Sequence, residues 1–313
     1  MAKGKSVRHH FIPQFYLQGF VDPKNPPFVW IYRKDNGVII KSSVKDTAVH
    51  SHYYSFKTKT GTRDSQTLEK LFSKLEGSTS TIFKKIFNKE SLSNEERSRF
   101  ASFLALTLIR VPNFRENMID KPTAELMKRM YVIMASHKEH FEAHIKNFES
   151  KTGNKLTVPV EQLRRYILKE DYTVRVTNPD YSLGLMFKNA QDIATVFHGM
   201  KWAFFETSDD QYFLTSDNPV YYMDPTYKPG SFYGVGLMNE KLEVTFPISK
   251  NLMLLATWGG PSGYLSTSQK IRGILNRRTI ISAQNFVFAS EKSIELNSFV
   301  QKYKGSSPKI KVN

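Results

Sequence analysis

The sequence contains no cysteine among its 313 residues. This absence excludes disulfides, cysteine nucleophiles and thiolate zinc sites, and it fits a reducing cytoplasm. No apolar run approaches the roughly 18 residues that a membrane helix requires, because polar residues interrupt the longest candidate, residues 100–111. The pair Gly234 and Gly236 lacks the third glycine and the following helix of a phosphate-binding loop. We therefore expect a cytoplasmic protein without a membrane partner.

Acidic residues are scarce. The chain has 29 Asp and Glu against 45 Lys and Arg, which gives a net charge of +16. Such an excess indicates a polyanion partner, RNA or DNA ahead of an anionic membrane surface. The alternative is that the charge serves solubility alone, since no recognised nucleic-acid motif is present. The charge clusters near the N-terminus and on one predicted helix, and the expected nucleic-acid-binding residues are Lys3, Lys5, Arg8, Lys270, Arg272, Arg277 and Arg278.

The C-terminal segment is also basic, with no acid after Glu295. Terminal segments are seldom part of a core. We therefore expect that removing residues 304–313 weakens nucleic-acid binding without unfolding the protein.

Residues 8–20 combine two histidines, a proline and an apolar, aromatic run. Pro13 suits the first turn of a helix, and the spacing of Tyr16 and Phe20 predicts a short amphipathic helix. We expect Phe15, Tyr16 and Phe20 to be buried against a sheet, with Trp202 and Phe204 nearby. His9 and His10 would precede the helix, where a neutral imidazole can bind a metal or act as a base. The alternative is a polar lead-in.

Residues 28–56 read as strands. Asn36-Gly37 between two apolar runs predicts a hairpin. Residues 49–56 follow as a third strand, on which His50 and His52 share one face. Together with His10 they could ligate a metal, and the alternative is a polar sheet face.

Residues 61–200 are predominantly helical by pattern, with Ser65 and Ser93 as predicted N-caps. Glu69 and Glu76 lie seven residues apart near the apolar stripe of the first helix, where an acid is usually a boundary residue. Arg110 ends a helix that is apolar nearly all round, and a buried arginine needs a carboxylate. Glu76 and Asp217 are the candidates. A further helix carries three histidines on one face, which we expect to be a solvated face: His137, His140 and His144.

The last third returns to strands. Residues 201–207 and 211–215 read as a hairpin, and Asp217 and Asn218 follow directly. Site residues often lie at the ends of strands, so Asp217 could be one. An Asx turn would give the same sequence pattern.

The pattern His10-x-x-Pro13-x-x-Tyr16-Leu17-x-x-Phe20 and the stretch FLTSDNPV at residues 213–220 resemble domain of unknown function family 4238, a family of bacterial and phage-associated proteins. Weaker matches include Glu76 after a leucine repeat, Arg110 before Pro112, and Asn276 with the apolar strand after it. The matches follow the family's order over nearly the whole chain. The resemblance implies a role for Glu76 as a ligand or as the partner of Arg110, but the family has no settled activity to carry over.

These patterns predict an α+β fold, with an antiparallel sheet built from both ends of the chain around a central helical insertion. The expected segments are residues 1–60, 61–200 and 201–313 of one integrated domain. This arrangement brings the two main motifs to one sheet. We therefore expect one pocket that contains the candidate catalytic residues His10, Asp217, Asn218, Arg110 and Glu76.

Two function classes fit the sequence. In the first, the protein is a nuclease in phage defence. There His10 acts as a base, or joins Asp217 and Glu76 in holding a divalent ion, Mg²⁺ or Mn²⁺, that stabilises charge on a phosphate. The His-His-x-x-Pro start is also similar to that of some His-Asn-His endonuclease toxins, but the downstream Asn…His pair is missing. In the second class, the protein is a non-catalytic nucleic-acid-binding or regulatory module with a structural His/Arg/Asp network.

Overall fold

The structure is a computed structural model that describes residues 8–58, 60–208, 211–227 and 235–310. Lys3 and Lys5 of the expected nucleic-acid-binding set lie outside these residues. The chain divides into two compact units, one of residues 1–115 and 180–308, the other of residues 116–179 and 309–313. The predicted helical insertion, residues 61–200, therefore contributes to both units.

The secondary structure alternates short strands with helices. The strands are β1 (Arg8–His10), β2 (Phe28–Arg33), β3 (Ile39–Ser43), β4 (Val49–Ser51), β5 (Phe56–Lys57), β6 (Arg63–Asp64), β7 (Lys201–Glu206), β8 (Thr215–Ser216), β9 (Tyr221–Met223), β10 (Glu243–Ser249), β11 (Leu252–Thr257), β12 (Gly263–Ser266) and β13 (Phe286–Ala289). The α-helices are α1 (Gln14–Leu17), α2 (Thr67–Phe87), α3 (Asn94–Ile109), α4 (Lys121–Ser136), α5 (Lys138–Thr152), α6 (Val160–Leu168), α7 (Pro179–Lys188), α8 (Ala190–Gly199), α9 (Gln269–Ser282) and α10 (Ile294–Gln301).

The predicted α+β class is confirmed, because antiparallel strands come from both ends of the chain and the middle of the sequence is helical. One sheet has the order β3-β2-β13-β8 and joins N-terminal to C-terminal strands. A second has the order β12-β7-β11-β10-β9, in which only the β12–β7 pair is parallel. The short pairs β1–β4 and β5–β6 are separate.

The predicted Asn-Gly hairpin is confirmed between β2 and β3. Gly37 adopts φ +72°, which a side chain disfavours, and the Val38 N–H donates to Asn36 Oδ1 at 3.0 Å. The predicted hairpin of residues 201–207 with 211–215 is wrong. Strand β7 pairs with β11 and β12, while β8 pairs with β13. Phe213 and Leu214 are both buried, so this segment does not alternate like a half-exposed strand.

The helix starts were partly predictable. Ser93 caps α3 as expected, with the reciprocal bonds of a capping box to Glu96. Ser65 does not cap α2. Asp64 does so instead, by accepting from the backbone N–H groups of Gln66 and Thr67 at 2.8 and 2.9 Å.

The N-terminal aromatic run packs into the core, as predicted. Tyr16 and Phe20 are buried, and the ring of Tyr16 stacks on Phe246 of β10 at 5.0 Å. Phe15 is half-buried against Phe83 of α2. Trp202 packs on Phe100, which contacts Phe83, the ring against which Phe15 and Tyr16 lie. Phe204 stacks on Tyr264. The helix is also shorter than expected, since α1 gives way to a 3-10 turn at Gln18–Phe20.

The smaller unit contains α4, α5 and α6. Ala135, Phe141 and Ile145 form its core. The three histidines of this region are exposed, as expected for a solvated face: His137, His140 and His144. Within the residues described, no helix is both long and apolar enough to cross a membrane.

Candidate active site

The two N-terminal histidines precede α1, as predicted, but they lie on a strand that the sequence did not predict. Strand β1 pairs antiparallel with β4, with His9 opposite His50 and His10 opposite Val49. Successive residues of a strand face opposite sides. His9 is therefore fully buried while His10 is half-exposed, and the two imidazoles have different roles.

His9 is a neutral structural residue. The Tyr54 backbone N–H donates to its Nδ1 at 2.9 Å, and its Nε2 lies 3.0 Å from the Ser65 carbonyl. A carbonyl only accepts, so Nε2 carries the proton and Nδ1 is the acceptor. Burial lowers the pKa of His9, which keeps the ring neutral. His9 thereby joins β1 to the segment that leads into α2.

His10 presents an acceptor nitrogen beside a cavity. Its Nε2 lies 3.0 Å from the Lys45 carbonyl and must donate to it. In the neutral ring Nδ1 is then the acceptor, and the Gln14 amide donates to it at 3.5 Å, a long hydrogen bond. His10 and Gln14 both line one cavity, so Nδ1 is the ring nitrogen that could accept a proton there once the Gln14 amide turns away.

The cavity has a volume of about 300 Å³ and lies between the N-terminal segment and α2. Its α2 side is built from residues spaced three, four and seven apart, which share one face of a helix. The lining residues are His10, Gln14, Phe15, Glu69, Phe72, Ser73, Glu76, Gly77 and Ser80. An imidazole and two carboxylates thus share one concave site.

Glu76 is paired with the buried Arg110. Glu76 was one of the two carboxylates that the sequence predicted as partners of that arginine. Arg110 Nη1 donates to Glu76 Oε1 at 2.8 Å, and its Nε donates to the Phe11 carbonyl at 3.0 Å. The guanidinium lies over the Phe72 ring at 5.3 Å. Its Nη2 is buried without a partner among the described residues. Arg110 lies behind the cavity wall and holds Glu76 and the chain around Phe11 in place.

The sequence predicts that Glu69 is a boundary residue of its helix. In the structure Glu69 lines the cavity of His10. Its carboxyl is half-buried, and Oε2 has no hydrogen-bond partner in the described part of the chain. Burial raises the pKa of Glu69, and the nearby Glu76 adds to this, whereas Arg110 and His10 oppose it. The seven-residue spacing to Glu76 was the available sequence signal, because it puts both acids on one helix face.

We expect His10 to lie within hydrogen-bond reach, or one metal ion or water away, of Asp217 or Asn218. Among the described residues neither makes a hydrogen bond to His10, and their polar groups are bonded elsewhere. The Asp217 carboxylate accepts from the backbone N–H groups of Gln284, Asn285 and Phe286 at 2.8, 2.8 and 3.1 Å. Burial raises its pKa to about 6, although these hydrogen bonds and Lys34 oppose the shift. Its oxygens are used to hold the turn between α9 and β13.

Asn218 belongs to the same structural network. Its amide donates to the Ser282 carbonyl at 3.0 Å and to Asn113 Oδ1 at 3.4 Å, and the Ser282 hydroxyl donates to the Asn218 carbonyl at 2.7 Å. Neither Asp217 nor Asn218 lines the cavity of His10. The five predicted site residues therefore form two groups.

Lys34 is a structural part of the second group that the sequence did not suggest. It is only 2% exposed, and its ammonium donates to the carbonyls of Ile280, Ala283 and Ser306 at 2.8, 2.6 and 2.7 Å. Burial lowers its pKa to about 8, while Asp217 opposes this. Lys34 thus closes the C-terminal end of α9, where carbonyls lack helical partners.

The predicted metal sites do not form. Within the described ranges, no group of three or more His, Asp or Glu side chains is placed to hold a metal ion. Asp217 binds backbone N–H groups, His50 stacks on Phe11 at 5.2 Å, and His52 lies in a turn with φ +55°. Asp217, His50 and His52 therefore do not join His10 in a metal site, whereas Glu76 lines the same cavity as His10.

The basic residues of α9 differ in their surroundings. Lys270 and Arg277 are exposed. Arg278 is bound to Glu243 at 2.5 Å, and Arg272 is half-buried in the wall of a second cavity. Arg8 is ion-paired with Asp46 at 2.9 Å. Only Lys270 and Arg277 of the expected α9 set therefore present exposed charge.

Comparison with known proteins gives one match. The family model described as "Protein of unknown function (DUF4238)" matches residues 8–293. No curated protein matches the chain, and no solved structure does.

Proposed function

The chain belongs to the DUF4238 family, and we propose that it is a cytoplasmic nucleic-acid-processing enzyme, a nuclease acting in phage defence. The observation that carries the proposal is the cavity that contains His10, Glu69 and Glu76. Its occupant would be a strand of RNA or DNA, which the net charge of +16 would attract.

Phosphodiester hydrolysis needs a base and an acid. A water molecule attacks phosphorus, the base takes its proton, and the bond to the leaving oxygen breaks as the acid protonates that oxygen. His10 Nδ1 is suited to the first role, because Nε2 is held as the donor to Lys45. Glu69 is suited to the second, because burial raises its pKa and favours the protonated form.

Two carboxyls in a cavity would ordinarily repel a phosphate. Here Arg110 is bonded to Glu76 and offsets its charge, and burial raises the pKa of Glu69. Arg110 is a positioning residue in this scheme, since it does not line the cavity. Among the described residues no group of three His, Asp or Glu side chains is placed to hold a divalent ion, so no step is assigned to one.

The second candidate is a non-catalytic nucleic-acid-binding or regulatory module. The observation that favours it is the network of Asp217, Asn218 and Lys34, in which buried polar groups are bonded to the backbone. Such a network fixes a fold without performing chemistry.

Incubation of the purified protein with single- and double-stranded RNA and DNA distinguishes the two candidates. We expect cleavage that persists in chelator as well as in Mg²⁺ or Mn²⁺, and that is lost in His10→Ala and in Glu69→Gln. The matched control is His144→Ala, an exposed histidine of the smaller unit. Binding without cleavage under every condition supports the module instead.

The proposed role of the protein in phage defence is tested by a separate experiment. Bacteria that express the wild-type protein should reduce the plating efficiency of a phage panel, and those expressing His10→Ala should not. Equal protection by the two proteins would contradict a defence role for the cavity.

A further inference from the structure

The second cavity lies away from the residues used above. It has a volume of about 250 Å³ and is bounded by α9, the end of β13 and α10. This is close to the lower end of the roughly 300–1,000 Å³ typical of small-molecule sites. Its size suits a small ligand.

Part of the wall is apolar, and the rest is formed by polar residues that include Asn276. Leu214 and Ala289 are buried, while Leu296 and Phe299 pack against the same hydrophobic cluster and are partly buried. Tyr212 adds a second aromatic wall. Walls of this kind bind a compact apolar body, planar or branched.

Ser290 places an unused polar atom in this apolar setting. The residue is 2% exposed, lines the cavity, and its Oγ has no hydrogen-bond partner among the described residues. A buried hydroxyl without a partner destabilises the protein. A ligand oxygen in the cavity would satisfy it.

Arg272 provides a positive charge in the wall of this cavity. Its side chain lines the cavity and has no ion pair or side-chain hydrogen bond within the described part of the chain. The other charged lining residue is Glu291, which disfavours a dianion more strongly than a monoanion. Guanidinium groups recognise carboxylates through paired hydrogen bonds.

From these features we infer that the cavity of Arg272 and Ser290 is a binding site for a small carboxylate with an apolar body. Arg272 would bind the carboxylate and Ser290 would hydrogen-bond an oxygen of the ligand. Arg272 then serves this site and not a phosphate backbone, which is a different assignment from the one its place in the basic helix suggested.

Phenylacetate is a suitable probe, with the neutral 2-phenylethanol and with phenyl phosphate as comparisons. Calorimetry on the full chain should show binding of phenylacetate, at least tenfold weaker binding of the alcohol, and weaker binding of the phosphate. Absence of phenylacetate binding at millimolar concentration, or equal affinity for the alcohol, would overturn the site. Tighter binding of the phosphate would overturn its carboxylate chemistry.

Substitutions test whether phenylacetate binds at Arg272 and Ser290. Arg272→Gln should weaken phenylacetate binding at least tenfold, and the control Arg277→Gln on the same helix should not. Ser290→Ala should weaken binding several-fold yet raise the melting temperature of the ligand-free protein, because it removes an unpaired buried hydroxyl. Unchanged phenylacetate affinity in Arg272→Gln would refute the assignment even if the fold is intact.

A nucleic-acid measurement separates this inference from the proposed nuclease. Arg272→Gln should leave nucleic-acid affinity and its salt dependence unchanged, whereas Arg277→Gln should lower both. If Arg272→Gln weakens nucleic-acid binding as much as Arg277→Gln does, Arg272 belongs to the nucleic-acid surface and the carboxylate site fails.

Discussion

Glu69 and Glu76 lie two turns apart on one face of α2, and Glu76 alone is hydrogen-bonded to Arg110. Substitution of Glu76 should therefore affect stability, because it leaves a nearly buried guanidinium without its carboxylate. We expect Glu76→Gln to lower the free energy of unfolding by about 3 kcal/mol. Urea denaturation measures this change.

The control for that prediction is an exposed ion pair on another helix. Glu95 lies beside Arg99 on the surface of α3, and Glu95→Gln should cost less than about 1 kcal/mol. Similar losses for Glu76→Gln and Glu95→Gln would show that Arg110 is not held by Glu76.

Phe20 tests the packing of the N-terminal segment. Its side chain is fully buried beside Tyr16, so Phe20→Ala should lower the free energy of unfolding by about 3–5 kcal/mol. Phe87, at the end of α2, is 46% exposed and is the matched control. We expect Phe87→Ala to change stability by no more than about 0.5 kcal/mol. Equal effects would mean that residues 9–20 are detached from the core.

His9 makes stability depend on pH. Its pKa is lowered in the folded protein from an ordinary value of 6.5, so the unfolded chain binds more protons between the lowered value and 6.5. Its contribution to stability is therefore complete above about pH 6.5 and is lost as the pH falls below that value. Denaturation between pH 5 and pH 7.5 should show a steeper loss in the wild type than in His9→Gln. His144→Gln should retain the wild-type slope, because His144 is exposed.

The C-terminal segment should matter to folding, contrary to its description as a dispensable basic tail. The Ser306 carbonyl and hydroxyl accept from Lys34 at 2.7 and 3.2 Å, and the Pro308 carbonyl accepts from Asn113 at 3.3 Å. Removing residues 304–313 should lower the free energy of unfolding by about 2 kcal/mol or more, because hydrogen bonds to a buried charge are lost. The double substitution Lys302→Ala and Lys304→Ala removes charge only and should leave the melting temperature nearly unchanged.

Features with local causes could be predicted from the sequence. Asn36-Gly37 specifies its hairpin through a positive φ at Gly37, and Ser93 with Glu96 specifies a helix start through two reciprocal hydrogen bonds. The α+β class follows from the same kind of pattern, read over longer stretches.

Long-range partners could not be predicted in this way. The sequence around Asp217 fits a site residue and an Asx turn equally well. The Asp217 carboxylate binds residues 284–286 because β8 pairs with β13, and this long-range pairing was not predictable. Lys34 carried no signal of burial, because lysine is ordinarily exposed. Side chains alternate along a strand, which explains why His9 is buried and His10 is not. The sequence did not predict this strand, because Pro13 favoured a helix here.

The pairing of β2 with β13 has a consequence during synthesis. Tyr32 of β2 donates to the Glu291 carbonyl, a residue 259 positions later. At ribosomal rates the interval between the two is on the order of ten seconds or more. During that time the hairpin of β2 and β3 has one edge without its neighbour, and such an edge can pair with another nascent chain. Aggregation during expression should therefore depend on how soon β13 emerges from the ribosome.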